Sequence, residues 1–138
     1  MNILFFLIPK SQVGYVMASD TFRQVAEKLD YLKYTAIPIL DENGKYIDTV
    51  SEGDLFWFVK KHPNMTLKKS ESVNILSVTR NRKYVAIRYD ASMDELLSLA
   101  MSQNFVPVLD DHDIFMGIIT RKAIIGYFAQ GETSRQWI

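Results

Sequence analysis

Two short passages hold the residue types best suited to chemistry. Ser51-Glu52-Gly53-Asp54 and Thr120-Arg121-Lys122-Ala123 each close an extended run with a hydroxyl and enter a helical pattern at once. A helix start offers unbonded backbone N–H groups and a partial positive charge, which suits a phosphate. Gly53 would let a ligand approach the backbone closely. An aspartate in the first turn is placed to accept both hydroxyls of a ribose. The same Ser-x-x-Asp spacing is also a capping box, in which the carboxylate steadies the helix with no ligand at all. These four residues fit both readings. In the second passage Ala123 stands where the first has Asp54, and Arg121 and Lys122 bring cations beside Thr120. That exchange favours a phosphate over ribose hydroxyls.

Other chemistries find little to work with. The two histidines, His62 and His112, fall in a polar stretch and in a turn, with no nucleophile or carboxylate at a useful spacing. No glycine-rich phosphate loop or His-x-x-x-His motif is present, and the absence of cysteine excludes a thiolate nucleophile, a disulfide and cysteine-ligated zinc. Asp110-Asp111-His112-Asp113 reads as a hairpin turn, where aspartates are favoured, rather than as a metal cluster. The expectation is therefore a binding protein with no catalytic residue, no metal and no required cofactor. Sixteen basic residues balance sixteen acidic ones, which removes the electrostatic footprint of a general nucleic-acid binder. Arg80, Arg82, Lys83 and Arg88 are the nearest approach to one, and four cations in a neutral chain read as a solvated loop.

The elements that must position the two passages occur twice. Thr35-Ala36-Ile37-Pro38-Ile39-Leu40-Asp41 answers Asn104-Phe105-Val106-Pro107-Val108-Leu109-Asp110, and Tyr46–Ser51 answers Phe115–Thr120. Upstream, Asn2-Ile3-Leu4 answers Asn74-Ile75-Leu76, and Val13 answers Val85. The offset drifts from 72 residues at the front to 69 at the back. Such a repeat decides the architecture before any single element does. Apolar spacing predicts a helix over 21–33 and a second from Ser92, with strands at 36–40, 46–50, 84–88, 105–109 and 114–120. Pro38 cannot donate to a ladder, which places its strand at a sheet edge or leaves one side of it open. The expected organisation is a first repeat over 1–61, a polar linker over 62–72, a second repeat over 73–130 and a tail over 131–138. Each half, at roughly 60–70 residues, would bury a marginal core alone, so the halves are expected to share one.

The helices that close the repeats, 52–61 and 121–129, are apolar on every side: Leu55-Phe56-Trp57-Phe58-Val59 and Ile124-Ile125-Gly126-Tyr127-Phe128. A helix of this kind needs burial on two sides, and the second side is expected to face another copy of the chain in a symmetric homodimer. The apolar opening, Met1–Ile8, lacks a basic n-region and stops at Pro9-Lys10. It does not read as an export signal, and no stretch approaches the roughly 20 apolar residues that span a bilayer. A cytoplasmic location is expected.

The doubled pattern of an apolar-Pro-apolar-Leu-Asp strand, a glycine turn, and a strand ending in Ser/Thr-x-x-Asp before an apolar helix resembles a tandem pair of cystathionine-beta-synthase-type (CBS) domains, a Bateman module, over nearly the whole chain. The resemblance implies an α+β fold of two β-α-β-β-α repeats packed with pseudo-two-fold symmetry. It implies an adenosine-containing ligand (AMP, ADP, ATP, S-adenosylmethionine or cyclic di-AMP) in clefts between the repeats. Carried over, Asp54 matches the ribose-binding aspartate, and Ser51 and Gly53 match positions near ribose or phosphate. Thr35 and Ala36 line the same cleft, with Tyr84, Ala86 and Asn104 on its opposite wall. Thr120, Arg121 and Lys122 mark the second cleft, which has lost its aspartate. The implied role is that of a stand-alone regulatory module that senses the nucleotide and signals in trans to an unidentified protein effector. The alternative is a structural or dimerisation module with no ligand.

Overall fold

A computed structural model describes residues 1–133; the expected C-terminal tail lies, from residue 134 on, outside the described residues. In chain order the elements are β1 (Ile8–Pro9), β2 (Val16–Met17), α1 (Phe22–Leu32), β3 (Ala36–Leu40), β4 (Tyr46–Ser51), α2 (Glu52–Lys61), α3 (Leu67–Ser70), β5 (Ile87–Arg88), α4 (Met93–Ala100), β6 (Phe105–Leu109), β7 (Phe115–Thr120) and α5 (Arg121–Thr133). Turns of 3-10 helix lie at Ile3–Phe6, Lys10–Gln12 and Ile75–Ser77. The fold is mixed α+β, and the order β-α-β-β-α occurs twice. α5 continues past the expected end at residue 129, because a lone glycine such as Gly131 weakens a helix without stopping it.

The chain forms two compact units, and neither is a simple copy of one repeat. One runs from Gly14 to Tyr84; the other joins Met1–Val13 to the chain from Val85 onward. Each repeat thus lends its leading segment to the unit built on the other. In the Gly14–Tyr84 unit the sheet order is β2-β3-β4, and Ile75 and Val78 complete a core of Val16, Phe22, Val25, Leu29, Ile37, Ile39, Val50 and Leu55. In the second unit the order is β1-β7-β6-β5, and Ile3 and Phe6 join Leu96, Val106, Val108, Ile119 and Ile124. The expected single shared core is therefore corrected to two. The borrowed segments supply the apolar area that a half of this size lacks on its own. They also explain the apolar opening of the chain, since Ile3 is fully buried.

The borrowed segments are built alike. Asn2 Oδ1 accepts the Leu4 N–H at 2.8 Å, and Asn74 Oδ1 accepts the Leu76 N–H at 2.9 Å. The hairpin turns match too: Asp41 Oδ1 accepts from the amides of Asn43 and Lys45, as Asp110 Oδ1 does from those of His112 and Ile114. These bonds give Asp110 its turn role and hold its carboxyl below the usual range, the His112 amide contributing most. Among the described residues no cluster of His, Cys, Asp and Glu could hold a metal ion.

Two expectations about strands change in detail. Pro38 lies in the central strand of its sheet, but β2 meets β3 only at Ile39 and Leu40, so on that side the strand is open at the proline. The strand expected over 84–88 shrinks to Ile87–Arg88. A side chain takes the place of a ladder there. The buried Gln103 accepts the Val85 N–H through Oε1 at 2.8 Å, and its Nε2 donates to the carbonyls of Val85 and Phe105.

Gly117 carries the join between β1 and β7. It pairs with Pro9 at a φ of 150°, and a Cβ placed there would lie 2.1 Å from the Ile8 carbonyl oxygen. A backbone atom cannot yield as a side chain does. Gly117→Ala is expected to cost roughly 2–4 kcal/mol from strain and lost pairing, read as a lower urea midpoint. A wild-type midpoint would show that β1 is dispensable to its sheet.

Candidate functional site

The Ser51–Asp54 passage sits where β4 ends and α2 begins. Ser51 pairs with Ala36 across the β3–β4 ladder, and the Glu52 N–H donates to the Thr35 carbonyl at 2.9 Å. The fold thereby gathers Thr35, Ala36, Ser51, Gly53 and Asp54 at one corner. The capping box is complete: the Asp54 N–H donates to Ser51 Oγ at 3.1 Å, and the Ser51 N–H donates to Asp54 Oδ2 at 2.8 Å. Asp54 is only 1% exposed. Its remaining oxygen, Oδ1, accepts the backbone N–H of Asn81 at 2.7 Å. Both carboxylate oxygens are therefore held by main-chain donors, one local and one 27 residues away in sequence.

Asn81 escaped the sequence reading, which saw only the cations around it. A signal was nevertheless present. At the 72-residue offset of the leading segments Asn81 corresponds to Pro9, which has no N–H, while at the 69-residue offset Asp54 corresponds to Ala123, which has no carboxylate. Donor and acceptor are present together in one unit and missing together from the other.

Arg80 anchors the segment that carries Asn81. Its guanidinium donates to the Val78 carbonyl, and Nε lies 3.3 Å from Asp48 Oδ2 with both side chains mostly buried. That pair is off the hydrogen-bonding line, so Nε makes a charge contact without a hydrogen bond. Tyr46 lies on the same strand, with its hydroxyl 2.7 Å from Thr49 Oγ1, and burial pushes its phenol well above the usual range. Arg88 is engaged as well, donating to Asp113 Oδ1 at 3.3 Å and to the Asp111 carbonyl at 3.2 Å. Two of the four clustered cations are thus committed to the fold.

The matching corner of the other unit has the same frame and different chemistry. Phe105 pairs with Thr120, the Arg121 N–H donates to the Asn104 carbonyl at 2.8 Å, and the Ala123 N–H donates to Thr120 Oγ1 at 3.0 Å. Asn104, Thr120, Arg121 and Lys122 are brought together, and Lys122 is exposed. Arg121 Nε donates to the Ala100 carbonyl at 2.7 Å, at the end of α4, where a cation meets the favourable end of the helix dipole. Ala86 belongs to this unit and Tyr84 to the other; both are half-buried.

The doubled strand-helix corner, with a hydroxyl cap each time, is matched at the level of sequence families. The profile of the CBS domain matches the chain twice, at residues 8–61 and 77–130. The chain belongs to the CBS-domain family. No curated protein matches it by sequence. Solved structures of CBS proteins share its fold. A conserved hypothetical protein of Geobacillus kaustophilus is 25% identical with a TM-score of 0.86, the match covering 95% of this chain and 98% of that one. The CbpB protein of Listeria monocytogenes, solved in complex with c-di-AMP, is 19% identical with a TM-score of 0.80, covering 91% and 92%. CBSX2, solved in complex with AMP, is 21% identical with a TM-score of 0.75, covering 95% and 98%. Among the described residues no helix is long and apolar enough to cross a membrane.

Proposed function

We propose that this CBS pair is a regulatory module, not an enzyme, that binds an adenine nucleotide and passes its occupancy to a protein partner in trans. The observation that carries the reading is the Ser51–Asp54 corner: a buried carboxylate suited to a sugar diol, beside helix amides suited to a phosphate. Gly53 adds to it. A Cβ at that position would meet nothing closer than Ser51 Oγ at 3.6 Å, so packing does not require the glycine. A glycine in a helix costs up to about 1 kcal/mol relative to alanine; its place here fits close approach by a ligand. CbpB with c-di-AMP and CBSX2 with AMP are relatives of the same fold whose ligands contain adenosine.

Calorimetric titration with AMP, ADP, ATP, S-adenosylmethionine and cyclic di-AMP tests the proposal, and silence from all five overturns it. Gly53→Ala is expected to leave thermal stability equal or slightly higher, by up to about 1 kcal/mol, while weakening nucleotide binding about ten-fold or more, a loss of at least about 1.4 kcal/mol. Unchanged affinity would remove the glycine from the site.

One observation favours the alternative of a ligand-free structural module: the capping box is complete without a nucleotide. Under either reading the chain pairs with a second copy through α2 and α5. Each helix buries one side, with Leu55 and Ile124 in the cores, and exposes the other, with Phe56 61%, Ile125 58% and Phe128 52% exposed. Sedimentation at micromolar concentration checks this, and a monomer there would oppose it.

A further inference from the structure

Asp54 has no open face. Each oxygen keeps a second lone pair, but at 1% exposure, with a main-chain donor against each, a ribose diol gains room at the carboxylate only if one of those donors withdraws. The two donors differ in how readily they move. The Ser51 N–H lies inside the capping box that starts α2, three residues from the carboxylate. The Asn81 N–H comes from a solvent-exposed segment outside any helix or strand, with exposed neighbours at Thr79, Arg82 and Lys83. We infer that the Asn81 segment is a built-in competitor for the nucleotide site: its amide occupies Asp54 Oδ1 in the free protein, and a bound cis-diol displaces it. The inference rests on the proposed nucleotide-binding function and adds the means by which binding is transmitted.

The repeat itself supports the pairing. Where the other unit lacks the carboxylate, at Ala123, the corresponding chain position is Pro9, held in β1 against Gly117, with no N–H to offer. In the Gly14–Tyr84 unit the same stretch forms no strand with β4 and is held instead by the Arg80–Asp48 contact and the Asn81 amide. The displaced segment leads through Tyr84 directly into Val85, the first residue of the other unit's main body. The bond exchanged there lies three residues before the last residue of its unit, Tyr84. A ligand shifts a conformational equilibrium only through differential contacts with the two states, and exchange of the Asn81 amide for a diol at one oxygen is such a difference.

The test is residue-resolved amide exchange by NMR on the full 15N-labelled chain, free and saturated with whichever of AMP, ADP, ATP, S-adenosylmethionine and cyclic di-AMP gives binding heat. The Asn81 amide is expected to exchange about ten-fold faster or more in the complex, the loss of a bond to a charged acceptor, while the Ser51 amide keeps its protection. Binding heat with Asn81 exchange unchanged or slower overturns the inference and leaves the nucleotide-binding function standing. No heat with any of the five defeats both. Asn81→Pro, which copies the residue of the other unit, gives a second readout: nucleotide affinity about ten-fold tighter. Equal or weaker affinity in a variant that keeps the wild-type fold overturns the inference, and if that variant does not fold the exchange of Asn81 decides.

Discussion

Ile3→Ala is expected to cost about 3–4 kcal/mol and to loosen the unit that carries the second repeat, leaving the Gly14–Tyr84 unit tight. Ile75→Ala is expected to cost a similar amount and to do the reverse. Both isoleucines are fully buried. Ile3 packs with residues of α4, β6, β7 and α5, and Ile75 with residues of β2, α1, β3 and β4, so each stabilises the unit built mostly on the other repeat. Backbone bonds tie the second segment down as well: the Phe22 N–H donates to the Val73 carbonyl and the Ile75 N–H to the Asp20 carbonyl. Removal of three buried carbons leaves a cavity that a well-packed core closes only in part. Against the few kcal/mol available to a unit this small, the loss is large enough to open one unit while the other holds. Peptide-level hydrogen exchange on each variant reads the location directly. If Ile3→Ala instead released protection in α1 and β3, each repeat would be folding on its own leading segment and the exchange of segments would be wrong.

Asp54→Ala is expected to lower stability by roughly 2–4 kcal/mol and to abolish nucleotide binding. Truncation removes the acceptor for two backbone N–H groups, those of Ser51 and Asn81. A lost cap costs about 1 kcal/mol, and each buried donor left unsatisfied costs about 1–3 kcal/mol, relieved where water enters. Stability alone does not separate a cap from a ribose acceptor, because both lose the same bonds. The difference lies in the response to ligand. A nucleotide at 100 times its dissociation constant stabilises a native state by about 2.7 kcal/mol, so wild type gains that increment on saturation and Asp54→Ala gains none. Thermal unfolding of both proteins with and without nucleotide measures it. An equal gain in both would leave Asp54 as a helix cap and place the ligand elsewhere.

The features legible in the sequence share one physical property: their partners are close in the chain. The Ser51–Asp54 capping box, the Asp110 turn and the Thr120 cap all close within four residues. Side-chain chemistry and spacing were enough to find them. The repeat was legible because duplication preserves spacing. The short helix α3 inside the expected linker was not, since a single turn leaves no periodicity to detect. Nor was the role of Gln103 legible, since its amide reaches Val85, 18 positions away in the chain, as well as Phe105.

By itself, then, the amino-acid order determined that the chain is two β-α-β-β-α repeats with a hydroxyl-capped helix at the corner of each, one acidic and one not. Only the tertiary structure decided that the leading segments change places, that Gly117 must stay bare for β1 to pair, and that the amide of Asn81 lies on Asp54. These contacts join residues tens of positions apart. Sequence spacing carries no record of which of two similarly built segments reaches which sheet, whereas packing does, because a buried isoleucine or a buried backbone donor must find its partners inside the fold.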